Sequence, residues 1–373
     1  MHGLRYSGFR NLEDGEFFPS PGINIICGDN AQGKTNLIEA LWLFTGCKSF
    51  RGAKDSELVC FDCDKASLTL DFNAQNRCQQ AEIFISGRRS AVLGGINLPS
   101  ATALAGVFGA VVFSPAHLTL IEGGPEERRR FIDMAYCQLR PGYMKILSDF
   151  NRALAQRNAL LRRAGERNGR MPMGDLLDTW DEKLAHSGAQ VCTARAAYIR
   201  KLAEPVSEVY DGIAGQTESM MVRYDSFAGQ NFNFSADISA DIPALSRLLL
   251  SLLRDAREAD FSSGYTTVGP HRDNLVVCID GLDARKYGSQ GQKRSAVLAL
   301  KLAEAAVLRR VTGESPVALL DDVVSELDVH RQDYILNHLG GWQVFLTCCD
   351  PAAVQRMTGG SVFCMKKGRL KEG

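Results

Sequence analysis

Gly28-Asp29-Asn30-Ala31-Gln32-Gly33-Lys34-Thr35 has the G-x-x-x-x-G-K-T spacing of a phosphate-binding loop. The apolar run Ile23 to Cys27 before it reads as a buried strand. Asn36 to Phe44 after it carries Leu37, Leu41 and Phe44 at helical spacing. That context gives the eight residues their meaning. The glycines let backbone N–H groups close around a polyphosphate at a helix N-terminus, where the dipole favours negative charge. Gly28, Asn30, Gly33, Lys34, Thr35 and Asn36 are therefore expected to contact nucleotide. Lys34 would reach the β- and γ-phosphates, and the Thr35 hydroxyl would sit on Mg²⁺.

A partner for this loop lies far downstream. Val317-Ala318-Leu319-Leu320-Asp321-Asp322 is an apolar strand ending in two carboxylates. The strand would deliver Asp321 beside the loop to hold Mg²⁺ or its water, and Asp322 to the position of a general base that orients the attacking water. Between the two, Tyr287-Gly288-Ser289-Gln290-Gly291-Gln292-Lys293-Arg294 opens a helical run from Gly291 to Arg310. Its first turn offers N–H groups and the Ser289 hydroxyl to an anion. One chain needs only one phosphate cradle, so Ser289, Gly291 and Gln292 are expected to act in trans, on another subunit's nucleotide. Ser325-Glu326-Leu327-Asp328 would then line the subunit interface.

The chain is α/β at both ends. Ile23–Cys27, Ser67–Phe72, Ala81–Ser86 and Ala110–Phe113 have strand character, as do Leu275–Ile279, Val317–Leu320, Val344–Thr347 and Ser361–Met365. From about Glu126 to Arg257 the texture is helical. Leu147, Phe150, Leu154 and Leu161 share a stripe, Gly165 to Gly174 reads as a loop, and a second long helix follows from Leu176 to about Tyr210. The expected architecture is an α/β phosphate-loop ATPase head in two parts, 1–120 and 263–373, with a helical arm inserted at 121–262.

Bulk properties set bounds. The 373 residues hold 43 basic and 43 acidic side chains, so any nucleic-acid surface must be a local patch. Eleven cysteines without a framework, and one CxxC at Cys60–Cys63 lacking a second pair, read as reduced thiols with no zinc site. No charged-then-apolar leader opens the sequence, and Ala101 to Phe113 is too short to cross a bilayer. A soluble cytoplasmic protein is expected.

The order of motifs (phosphate loop, Ser-x-Gly-Gln, Leu-Leu-Asp-Asp, Ser-Glu-Leu-Asp) resembles the ATP-binding-cassette superfamily. The long helical insertion is similar to its SMC/RecF branch. Gly8-Phe9-Arg10-Asn11, Lys48-Ser49-Phe50-Arg51, Phe113-Ser114-Pro115, Gly123-Gly124-Pro125, Arg128 to Asp133, Gly269-Pro270-His271-Arg272-Asp273 and the run Gly288 to Glu304 extend the likeness to the RecF family over nearly the whole chain. The resemblance implies a homodimer formed on ATP and slow, DNA-stimulated hydrolysis. It also implies binding to gapped or junction DNA, and work with RecO- and RecR-type partners in loading RecA during repair and the SOS response. It carries phosphate and Mg²⁺ roles onto Lys34, Thr35 and Asp321, the base onto Asp322, trans contacts onto Ser289 and Gly291, and an interface role onto Asp328. Arg10 and Asn11 are adenine candidates. The chain departs from the family at His117, Asn274, Lys293 and the pair Cys348-Cys349, which stands where hydroxyl residues are usual.

Arg152, Arg157, Arg162, Arg163, Arg167 and Arg170 make the hairpin tip basic, as a DNA contact, a solvated face or a partner surface. Lys48, Arg51 and Arg88-Arg89 are further DNA candidates. Arg128 to Arg130 read either as DNA contacts or as a brace between head and arm. The rival functions are the nucleotide-binding subunit of a transporter, a structural SMC-type head and a small-molecule kinase. A transporter cassette would bring the signature much nearer the loop. A tether head would need sustained heptads, and a kinase leaves Ser289 and Asp328 without a role.

Overall fold

The computed structural model describes residues 1–372 apart from 167–173, 230, 231 and 236. The fifteen strands are β1 (Gly3–Ser7), β2 (Gly15–Phe17), β3 (Ile23–Cys27), β4 (Ala66–Ala74), β5 (Arg77–Ser86), β6 (Arg88–Leu93), β7 (Ile96–Asn97), β8 (Ala110–Phe113), β9 (Met220–Asp225), β10 (Asn274–Ile279), β11 (Leu282–Asp283), β12 (Val317–Leu320), β13 (Val344–Cys348), β14 (Ser361–Lys366) and β15 (Arg369–Glu372). They form three sheets, in the orders β2-β1-β4-β5-β6-β7, β11-β10-β9 and β15-β14-β3-β13-β12-β8.

The third sheet positions the site. Strands β14, β3, β13, β12 and β8 run parallel, and β15 closes one edge antiparallel to β14. Helices cover it, so its parallel strands are apolar rather than alternating: Val317–Leu320 and Val344–Cys348 in the interior of the sheet, and Ala110–Phe113 at its edge, are buried at every position. A parallel sheet gathers the C-terminal ends of its strands on one edge. The residues after β3, β12 and β13 therefore meet there, although they come from opposite ends of the chain. The first sheet is antiparallel, and β4 alternates as its pattern requires, with Leu68, Leu70 and Phe72 buried.

Tyr143–Glu166 and Gly174–Ile213 are the two long helices of the insertion. Phe150 and Leu161 are fully buried on the expected stripe, with Leu147 and Leu154 packed beside them. The stretch read as helical throughout contains one strand: β9 pairs with β10 from Asn274↔Asp225 to Ile279↔Met220. Its β-favouring residues Val222 and Tyr224 are half-buried against the core, so pairing to a distant strand decides its conformation. None of the described helices is long and apolar enough to cross a membrane.

Candidate functional site

β3 ends at Cys27, and Gly28 turns the chain with φ 152°. A Cβ there would lie 2.3 Å from the Met365 carbonyl oxygen on β14, so only glycine fits. Ala31 (φ 62°) and Gly33 (φ 113°) continue the left-handed path, and the helix Lys34–Leu43 begins with no side-chain cap and no acid in its first turn. Its N–H groups and dipole face an anion without competition. Lys34 is buried, and its Nζ donates to the carbonyls of Gly28 (2.6 Å) and Asp29 (3.1 Å) and to the Cys349 Sγ (3.7 Å), with no carboxylate hydrogen-bonded to it among the described residues. Neutral acceptors orient the ammonium without neutralising it. The loop is braced from β14–β15, where Gly368 N–H donates to the Gln32 carbonyl at 2.9 Å and Lys367 N–H to Gln32 Oε1 at 2.6 Å.

Asp321 and Asp322 follow β12, with β13 lying between them and the loop strand. Thr35 Oγ1 donates to Asp321 Oδ1 at 2.8 Å. Thr347 of β13 links the pair: its hydroxyl donates to Asp321 Oδ1 at 3.1 Å and accepts the Asp322 N–H at 2.9 Å. Asp322 is left-handed (φ 53°), a costly backbone for a non-glycine residue and one concentrated at functional sites. Burial pushes the Asp321 carboxyl above the ordinary range, and the Thr35 hydrogen bond pulls it back. Cys349 Sγ approaches Asn30 Oδ1 at 3.4 Å, closing a ring of groups from β3, β12 and β13.

Glu39, fully buried within the loop helix, is a hub that the sequence reading missed. It accepts from Arg10 Nε (3.0 Å) and Nη2 (3.1 Å) and from the Ser49 hydroxyl, with Arg51 Nη1 at 3.7 Å. An acid inside the otherwise apolar run Leu37–Phe44 was its signal. Arg51 also donates to Asn36 Oδ1 (2.9 Å), Asn36 to Asn11 Oδ1 (2.6 Å) and Asn11 to the Ala31 carbonyl (3.2 Å). Arg10, Asn11 and Asn36 thus form one chain along the flank of the loop.

The Ser289 group assembles elsewhere. Ser289 caps the helix Gln290–Thr312 in a capping box, its Oγ accepting Gln292 N–H at 3.2 Å and its own N–H donating to Gln292 Oε1 at 2.8 Å. Asp328 caps Val329–His338 and is ion-paired with Arg331, which donates in turn to Ser295 Oγ (3.0 Å) and the Gly291 carbonyl (3.2 Å). Ser289, Gly291, Gln292 and Asp328 are brought together with one another, through the Ser289–Gln292 capping box and Arg331, rather than around the phosphate loop. Ser289 is exposed.

The arginines divide. Arg157 is completely buried between Asp181 and Asp260, which removes it from the exposed tip; Arg152, Arg162 and Arg163 are exposed, and Arg167 and Arg170 lie outside the described residues. Arg128 donates to Asn274 Oδ1 (2.8 Å), Arg129 to the Asp273 carbonyl (2.8 Å) and Arg130 to the Ser49 carbonyl (2.7 Å), so this trio is a brace. Asn274 is thereby a neutral acceptor for Arg128. Arg89 pairs with Asp55 at 2.8 Å, while Lys48, Arg51 and Arg88 are exposed.

A family model described as the RecF/RecN/SMC N-terminal domain matches residues 1–369. A DNA replication and repair protein RecF of Agathobacter rectalis is 36% identical over 378 residues, covering 100% of this chain and 98% of the relative. One from Clostridium acetobutylicum is 35% identical over 376 residues, with 100% and 99% covered. A solved structure of the recombination mediator protein RecF with ATP, from the RecFOR pathway, superposes with a TM-score of 0.90 at 35% identity, over 100% of this chain and 97% of that one. An Smc head bound to the C-winged helix domain of ScpA shares the fold, with a TM-score of 0.54 at 14% identity over 99% and 95%.

Proposed function

The chain belongs to the RecF family within the RecF/RecN/SMC group, an ATP-binding-cassette head with an inserted helical arm, and from that premise we propose that it is an ATP-dependent, DNA-binding recombination mediator. It dimerises on ATP, binds gapped or single-strand/double-strand junction DNA, and acts with RecO- and RecR-type partners in loading RecA. Residues 1–120 and 263–373 form the head and 121–262 the arm, in the cytoplasm. One observation carries this reading: Lys34, buried at an uncapped helix start, is held by two carbonyls and the Cys349 sulfur, with no carboxylate hydrogen-bonded to it among the described residues, so its charge is free for a triphosphate.

Gly28, Asn30, Gly33 and Lys34 cradle the phosphates, with Arg10, Asn11 and Asn36 along the flank. Thr35 and Asp321 are hard oxygen donors already 2.8 Å apart, which suits Mg²⁺, and they would hold it. Bound there, Mg²⁺ supplies positive charge to the β- and γ-phosphate oxygens. Asp322, fixed by Thr347, accepts the proton of the attacking water. Ser289, Gly291 and Gln292 of a second subunit meet the γ-phosphate, and Asp328 lies at that interface; the exposure of Ser289 supports this role in trans. Each charge-assisted hydrogen bond lost with the γ-phosphate is worth about 1.5–3 kcal/mol, enough for hydrolysis to release the dimer. An aspartate base, one methylene shorter than glutamate, accords with slow turnover, stimulated by DNA. Arg152, Arg162 and Arg163 are the arm's exposed phosphate contacts.

Sedimentation with ATP and Mg²⁺, with and without a short gapped duplex, tests the scheme. Wild type is expected to dimerise, Lys34→Met to remain monomeric and Asp322→Asn to persist as the closed pair. Wild type that stays monomeric under every condition defeats the shared-site mechanism even if ATP binds.

A further inference from the structure

Four thiols crowd the strand ends beneath the phosphate loop. Cys348, Cys27 and Cys364 occupy one row across β13, β3 and β14, each the register partner of the next, and Cys349 follows beside Lys34. Within that row Cys27 Sγ and Cys364 Sγ are 3.1 Å apart. Both are free thiols; Cys27 is buried and Cys364 exposed. Neighbouring strands lie about 4.8 Å apart, inside the Cα separation that a disulfide spans. From this geometry we infer that Cys27 and Cys364 are a reversible oxidation site for hydroperoxides, and that the bridge they form weakens ATP binding at the adjoining loop.

The chemistry divides between the two by exposure. The Cys364 thiolate attacks a peroxide oxygen; the S–O bond forms, the O–O bond breaks, and the departing oxygen leaves as water or alcohol after taking up a proton. Cys27 then attacks the sulfenyl sulfur. The S–S bond forms, the S–O bond breaks, and hydroxide leaves with the Cys27 proton as water. Two thiols lose two electrons to one peroxide. Burial, with Cys364 beside it, holds the Cys27 thiol up at about 12, so the exposed Cys364 and not Cys27 is the first to react with peroxide, and Cys27 resolves it through its proximity of 3.1 Å.

The link to nucleotide is steric. Gly28 directly follows Cys27, and a Cβ at Gly28 would lie 2.3 Å from the carbonyl oxygen of Met365, the residue after Cys364, so the two strands pack closely there. Drawing the sulfurs from 3.1 Å to bonding distance therefore has no slack to use there. The displacement passes into the Gly28 carbonyl, which holds Lys34 Nζ at 2.6 Å. Reciprocally, bound ATP disfavours the bridge at equilibrium.

This inference rests on the phosphate loop being the ATP site, and ATP binding by the reduced protein tests that premise separately. The full-length protein is treated with hydrogen peroxide, mapped by peptide mass spectrometry without reduction, and titrated with a fluorescent ATP analogue. The expected result is a Cys27–Cys364 bridge and an affinity lowered by about tenfold, the equivalent of one hydrogen bond to a charged group. Dithiothreitol restores it, and Cys364→Ser, which binds ATP normally when reduced, resists the loss. The inference is overturned by a bridge confined to Cys60 and Cys63, by the mapped bridge with unchanged affinity, or by equal loss in Cys364→Ser, which would place the effect at Cys349.

Discussion

The arm and the phosphate loop both bury a cation, and they treat it in opposite ways. Arg157 is inaccessible and saturated: Asp181 at 2.6 Å, Asp260 at 2.5 Å, the Thr266 hydroxyl at 2.9 Å. Arg195 is likewise clasped by Asp133 through Nε (2.9 Å) and Nη2 (2.8 Å), with Tyr143 donating to the same carboxylate. Lys34 has two carbonyls and no carboxylate among its hydrogen-bond partners. A buried charge with its counter-charges in place builds the fold. One oriented by neutral dipoles is held ready for a ligand that brings the missing charge.

The largest test of this contrast is Arg157→Met. It leaves Asp181 and Asp260 buried beside a missing partner, and urea denaturation should show a loss of about 3–5 kcal/mol. ATP affinity of the folded protein should not change. Lys34→Met is the mirror image: ATP affinity falls by more than about a hundredfold as two charge-assisted bonds go, while the urea midpoint hardly moves. If Lys34→Met destabilised the fold as much as Arg157→Met, the contrast would be broken.

The seam between arm and head sharpens it through pH. Asp273 is buried against Tyr224, the Phe227 N–H, Arg195 and Arg129, and burial raises its carboxyl from 3.8 to about 6. Its contribution to stability is full below the unfolded value and is lost as pH rises through about 6. His271 Nε2 donates to the Thr266 carbonyl at 2.9 Å, with Arg272, Arg129 and Asp260 around it. Burial lowers it from 6.5 to about 4, so its contribution is present above 6.5 and lost as pH falls through about 4. Between those values the slopes oppose. His271→Gln should leave stability falling with pH by about 1.4 kcal/mol per unit, and Asp273→Asn should leave it rising, read by urea midpoints from pH 4 to 6.5.

Two smaller effects follow. Thr347→Val frees the Asp322 N–H and one Asp321 contact. It should cost about 1 kcal/mol of stability and slow ATP turnover more than it weakens ATP binding. Arg162→Ala, exposed and on the arm, should leave stability unchanged and lower the salt slope of DNA binding by about one.

What the sequence disclosed follows from how locally each feature is determined. β8 and β12 were legible to the residue because a parallel strand covered on both faces is simply an apolar run. β9 was not, since Met220–Asp225 is a strand through its pairing with β10, some fifty residues on in the chain. At the site, Lys34, Thr35 and Asp321 announced themselves by motif, and the structure puts the Thr35 hydroxyl 2.8 Å from Asp321. Thr347 was hidden as one hydroxyl in an apolar strand. Arg157 was misleading, because spacing along a helix counts charge without showing which face is turned inward.

The bracing of Gln32 by Lys367 and Gly368 reaches across 335 residues. Residues 28–35 leave the ribosome well before Lys367 and Gly368 do. A nascent chain therefore carries an unbraced cradle until those two residues emerge, and competence for triphosphate waits on them.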